Sequence, residues 1–218
     1  MEWILGDALG EFNGYSGWIV WNLFLAFIPM VLSFWLFRWQ HPSRSLAWWI
    51  GLIVFIAFLP NAPYLLTDII HLIGAARSTR SIWIVTLIFI PLHTFAILAG
   101  FEAYVISLIN QGHYLRQQGA GKFVAWAEIL VHSLCAVGIY LGRFNRLNSW
   151  DLVTNFRNVV MTSFNELTSK FPVVVILITV LVLILFYWIM KQITLGIVLR
   201  IRQIRKTNRE LLSDQNMI

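Results

Sequence analysis

The chain is 218 residues long, 59% hydrophobic and only 12% charged, with a formal net charge of +6 and one cysteine. This composition excludes an ordinary soluble domain and predicts an all-α, polytopic membrane protein. The basic balance follows from loops that obey the positive-inside rule, so no nucleic-acid partner is expected. The lone Cys135 lies in an apolar run and excludes an intrachain disulfide.

Residues 1–17 hold Glu2, Asp7 and Glu11 and no lysine or arginine, the reverse of a signal-peptide n-region. A first span is expected over residues 18–37. The next apolar run, 46–59, reaches only about 21 Å as a helix, short of the ~30 Å hydrocarbon core. It crosses only if it continues, kinked at Pro60 and Pro63, through residues 64–74. Three more spans are expected over 82–108, 123–141 and 172–190. That gives about five in all, in a single membrane domain (1–218) with no internal repeat or linker. Between the fourth and fifth spans, Leu152, Val153, Phe156, Val159, Val160 and Phe164 recur near helical spacing, which predicts an amphipathic surface helix. Residues 191–218 read as a basic helical tail suited to anionic lipid head groups.

Five spans with the N-terminus outside place Arg38, Arg44, Arg116, Lys122 and the tail on the cytoplasmic side. The outer segments then hold Arg77, Arg80, Arg143, Arg146, Arg157 and Lys170. These are matched one for one by Glu2, Asp7, Glu11, Asp68, Asp151 and Glu166. Trp18, Trp21, Trp83 and Trp150 fall near outer boundaries. Trp35, Trp39, Trp48, Trp49, Trp126 and Trp188 fall near inner ones, as interfacial belts do. Long helical spans exclude an outer-membrane barrel and fit a bacterial inner or thylakoid-type membrane.

Three constellations carry the chemistry. The first is the run Phe58-Leu-Pro-Asn-Ala-Pro-Tyr64, followed by Asp68 and His71. Each proline lacks an N–H, so carbonyls are freed, and broken membrane helices often line binding sites. Asp68 and His71, at i and i+3, either orient an imidazole for proton transfer or metal binding, or pin a kinked helix. The second closes the fourth span with Arg143, Arg146, Asn148, Ser149, Trp150 and Asp151. The two arginines are expected on one helical face, where they grip a phosphate or carboxylate, bind lipid phosphates, or pair with Asp68 and Asp151. Ser149 or Asn148 is expected to cap the following helix. Topology puts both constellations on the same face of the membrane, where one cluster of Asn61, Tyr64, Asp68, His71, Arg143, Arg146 and Asp151 is geometrically possible.

The third is deeper: His93 and Glu102 on the third span, Glu128 and His132 on the fourth. His93 and His132 are expected at similar depth. Facing imidazoles suit haem ligation, and a Glu/His set suits proton relay or a metal. The alternative is interhelical hydrogen bonding. No phosphate-binding glycine loop, His-Glu-x-x-His or nucleophile elbow is present.

The two outer blocks, Phe58–Tyr64 with Thr67-Asp68 and His71-Leu72, and Gly138-Ile-Tyr-Leu-Gly-Arg-Phe144 with Asn148-Ser-Trp-Asp151, resemble the domain-of-unknown-function 1361 family. This is a family of small bacterial multi-pass membrane proteins. The resemblance runs from about Trp21 to Asp151. It implies a membrane location and no known activity or cofactor. Its motif residues correspond to Asn61, Pro63, Tyr64, Asp68, His71, Tyr140, Arg143, Arg146, Asn148, Trp150 and Asp151. Asn145 stands where the pattern has an apolar or aromatic residue, a change that would loosen a hydrophobic wall.

The reading is a ligand- or lipid-binding protein, or an accessory subunit of a membrane complex, with a polar site at the outer face. In it Arg143 and Arg146 hold an anion, and Asp68 and His71 orient or shuttle a proton. A membrane enzyme acting on a lipid-linked or anionic substrate, and a small transporter using Glu102 and Glu128, are the alternatives.

Overall fold

Two prolines shape the second span. Pro60 and Pro63 offer no N–H to the carbonyls one turn earlier, and in lipid such groups need other partners. The computed structural model, which describes residues 2–39, 44–78 and 82–215, shows where those partners come from. Helix α2 (Leu46–Phe58) yields to a short α3 (Asn61–Tyr64), a 3-10 turn (Leu65–Asp68) and α4 (Ile69–Ser78). Across the break the Ala62 amide donates to the Leu59 carbonyl at 3.2 Å. Asn61 Nδ2 donates to the Phe58 carbonyl at 3.0 Å, and Thr67 Oγ1 to the Tyr64 carbonyl at 2.7 Å. Side chains therefore carry the helix past its prolines. The short apolar run becomes one candidate span, Leu46–Gly74, of 29 residues.

Helix α1 (Glu2–Phe37) precedes it. After it come α5 (Ile82–Ile84), a π-helical turn (Val85–Phe89) just before Pro91, and α6 (Ile90–Gln117). A 3-10 turn (Gly121–Phe123) leads into α7 (Val124–Phe144). Next are α8 (Asp151–Thr154), α9 (Phe156–Thr168) and α10 (Lys170–Gln215). Among the described residues all regular structure is helical, and five stretches are long and apolar enough to cross a membrane. Arg80, assigned to an outer loop from sequence, lies outside the described residues.

Helix α6 is the axis of the bundle, packing against α1, α3, α7 and α10. Between lipid-exposed helices, close fit replaces the hydrophobic effect as the cohesive force, so small residues mark the contacts. A Cβ at Gly100 of α6 would meet the Leu65 side chain and come within 3.2 Å of the Ala62 carbonyl. A Cβ at Gly138 of α7 would stand 2.8 Å from the Pro60 ring. The kink is thus clasped between two glycine faces. Buried Phe55, Leu65, Phe101, Tyr104 and Leu108 fill the space around α6.

At the opposite end Trp48 is 4% exposed and donates Nε1–H to the Leu36 carbonyl at 3.1 Å. It is a core residue there, which corrects its assignment to an interfacial belt. Trp35 also turns inward, onto Gly51. Trp39, Trp49, Trp126 and Trp188 are exposed as a belt requires. The tail runs on from the last span as one helix of 46 residues. The expected amphipathic helix forms as α9, with Val159 buried and Phe156, Val160 and Phe164 exposed.

Candidate functional site

The kink delivers Tyr64, Thr67, Asp68 and His71 to the last turn of α7, where Arg143 meets them. Arg143 Nη2 donates to Asp68 Oδ1 at 2.7 Å and to Thr67 Oγ1 at 2.6 Å. Nη1 lies 3.3 Å from His71 Nε2. Arginine has only donors, so His71 Nε2 is the acceptor and its proton sits on Nδ1. The guanidinium also lies 4.6 Å above the Tyr64 ring. Asn22 Nδ2 reaches Asp68 Oδ2 at 3.4 Å. Asp68 is 1% exposed, so this carboxylate is a buried partner of a cation and of an amide. The pair is overall neutral. Arg143 keeps only Nε unbonded, and that atom is buried.

Arg146 behaves differently from expectation. Helix α7 ends at Phe144, so the two arginines do not share a face. Arg146 sits beyond the helix with φ of 55°, a left-handed conformation costing a non-glycine residue about 1–2 kcal/mol. The Leu147 amide reaches back to the Leu141 carbonyl at 3.2 Å and holds this turn. Arg146 is exposed and, among the described residues, makes no hydrogen bond or ion pair. The anion grip expected from two arginines therefore reduces to Arg146, because Asp68 already neutralises Arg143.

The loop that follows closes on itself. Ser149 does not cap a helix; its Oγ accepts from Asn61 Nδ2 at 2.7 Å, tying the loop to the kink. Asp151 Oδ2 accepts the Asn148 amide at 2.6 Å, so the acid holds the loop and does not join the Asp68 cluster. Asn145 is tied across to α9 through one end of its amide, its Oδ1 being buried without a partner among the described residues. Its Nδ2 donates to Glu166 Oε1 at 2.9 Å, and Tyr140 donates to Glu166 Oε2 at 3.2 Å, which fastens α9 to the end of α7.

The deeper constellation is taken apart. Helix α6 continues past residue 108 to Gln117, which shifts His93 toward the kink end. There its Nδ1 donates to the Phe89 carbonyl at 2.9 Å, and its ring lies 5.8 Å from Trp18, which also packs on His71 at 4.6 Å. His132 instead bonds the Tyr104 hydroxyl at 2.6 Å and stands edge-on to Tyr187 at 4.9 Å. Tyr104 is three turns beyond His93 on α6, about 16 Å along the axis. The two histidines do not face each other. Glu128 accepts from Lys191 at 2.6 Å and Tyr187 at 2.7 Å, and Glu102 accepts from Thr194 at 2.7 Å. Both carboxylates fasten α10 to the bundle. Among the described residues no group of His, Cys, Asp and Glu is arranged to hold a metal ion.

Sequence reasoning missed one feature of the site altogether. A cavity of about 740 Å³ runs along the seam between α2 and α7. Leu52, Phe55 and Ile56 form one wall, and Leu130, Leu134 and Cys135 the other. At the kink end its lining turns polar, with Asn61, Tyr64, His71, Arg146, Asn148 and Ser149. Trp150, 42% exposed, stands beside them. The sequence signal was Gly138 and Gly142, which let α7 touch the kink and leave the seam below it unfilled.

Five long apolar spans, the second of them broken at its prolines, define a multi-pass helical membrane protein. The chain belongs to the family described as Protein of unknown function (DUF1361), whose model matches residues 21–185. The match extends past Asp151, where the motif blocks end, through α9 and into α10. No curated protein and no solved structure matches the chain.

Proposed function

We propose that the protein binds one amphipathic, lipid-like molecule in the seam between α2 and α7. One observation carries this reading: a single cavity passes from an aliphatic wall to a polar mouth. Its volume falls within the range of small-molecule sites. The apolar stretch from Ala127 to Gly138 covers about 16 Å of helix axis. That is close to half of a ~30 Å hydrocarbon core, the depth of one leaflet. Arg146 supplies the cation at the mouth, and Asn148, Ser149 and Asn61 supply neutral hydrogen bonds. Asp68 and His71, both held by Arg143, form the polar floor beside the kink. The basic opposite end argues that the mouth faces away from the cytoplasm, with the N-terminus on the mouth's side. A bacterial inner or thylakoid-type membrane suits this arrangement.

Native mass spectrometry of the gently solubilised protein tests the reading. A lipid retained in the seam is expected, and Ala127→Phe, which fills the lower seam, should lower the number of bound lipids by one without unfolding the bundle. A bare wild-type chain, or equal retention in the filled variant, would sink the proposal. A co-purifying polypeptide in place of lipid would favour the accessory-subunit role.

A further inference from the structure

The end of the bundle away from the kink holds a second set of arginines, built in another way. Arg38, just past α1, donates Nε–H to Asn110 Oδ1 at 2.7 Å. Asn110 is itself fixed, donating Nδ2–H to Ser33 Oγ at 2.9 Å, and Ser33 donates to the Met30 carbonyl at 2.7 Å. Arg44, just before α2, donates Nε–H to the Tyr114 hydroxyl at 3.0 Å. Its guanidinium lies 5.4 Å from the Trp48 ring and 5.8 Å from the Tyr114 ring. Asn110 and Tyr114 are i and i+4 on α6, so the two guanidinium groups are moored one helical turn apart on one face.

Every anchor is neutral. The ion pairs among the described residues are Arg143–Asp68 and Lys191–Glu128, so neither arginine is charge-compensated. Among the described residues their Nη atoms bond no protein group, and both side chains are exposed. Partial desolvation of this exposed side chain, and secondarily the charge of Arg202 on α10, lowers the Arg38 pKa from its usual value, so a further cation acts on the same end. Exposed Trp39 and Trp49 mark this level as the membrane interface.

We infer that Arg38 and Arg44 form a preorganised site for a phosphate-bearing lipid head group in the leaflet opposite the cavity mouth. Terminal N–H pairs of guanidinium match phosphate oxygens bidentately, and fixing Nε beforehand removes much of the ordering cost. Basic pockets between helix ends at the cytoplasmic surface suit anionic head groups. This site shares no residue with the α2–α7 cavity and stands or falls separately from it.

The test uses the full chain reconstituted in vesicles of equal parts phosphatidylcholine and phosphatidylglycerol, then extracted and weighed by native mass spectrometry. The wild type should retain phosphatidylglycerol in preference to phosphatidylcholine. Arg38→Gln and Arg44→Gln should each weaken that retention about fivefold. Tyr114→Phe, which keeps the charge and removes the Arg44 anchor, should also weaken it. Ala127→Phe should empty the seam and leave this preference for phosphatidylglycerol intact. Equal retention in the Arg38→Gln, Arg44→Gln double variant would overturn the proposal. So would Tyr114→Phe retaining as much as wild type, since diffuse charge attraction would then suffice. Sodium phosphate that raises the melting temperature as much as phosphatidylglycerol does would overturn the lipid as source.

Discussion

At the kink end Arg143 turns its terminal nitrogens onto Asp68, Thr67 and His71 and leaves Nε unbonded. At the other end Arg38 and Arg44 turn Nε onto Asn110 and Tyr114 and, among the described residues, leave the terminal nitrogens unbonded. The residue type is the same and the consequence opposite. An arginine whose fork meets a buried carboxylate is a structural rivet. One moored through Nε to a neutral acceptor keeps its charge uncompensated and its fork uncommitted. Counting basic residues per membrane face misses this distinction, because both kinds enter the sum equally.

The largest effect that would break the comparison comes from Asp68→Asn. It leaves the Arg143 charge unpaired against a buried site and is expected to cost about 3–5 kcal/mol. Thermal unfolding in detergent measures it, and a melting temperature equal to wild type would mean that Arg143 is not held by its partner. Gly138→Ala comes next. The added Cβ presses on the rigid Pro60 ring, so a loss of about 1–3 kcal/mol is expected, with a change in lipid retention as α7 moves off the kink. Smallest is Asn145→Leu, which restores an apolar residue but breaks the bond to Glu166. About 1 kcal/mol of lost stability is expected, visible as faster hydrogen exchange in α9. Slower exchange there would show that the apolar wall outweighs the Asn145–Glu166 tie.

Much of the architecture is legible in the residues alone. Hydrophobic run lengths set five spans, and the paired prolines set the kink, because both depend only on local backbone chemistry and on bilayer thickness. The motif blocks 58–72 and 138–151 were enough to place the chain in its family. Asp68, His71 and Arg143 could be brought to one face by counting crossings. What counting could not give was depth. The third span's helix runs on to Gln117, and that extension moves His93 away from His132 and into the neighbourhood of His71. Nor could it give direction. Arg146 leaves the α7 face because the helix stops two residues earlier, and Glu102 and Glu128 meet α10 because only packing decides which helix each carboxylate faces. Span number and kink are properties of a segment in lipid. The cavity, the neutralised arginine and the free ones are properties of how segments fit, set by Gly100, Gly138 and the pairing of side chains far apart in the chain.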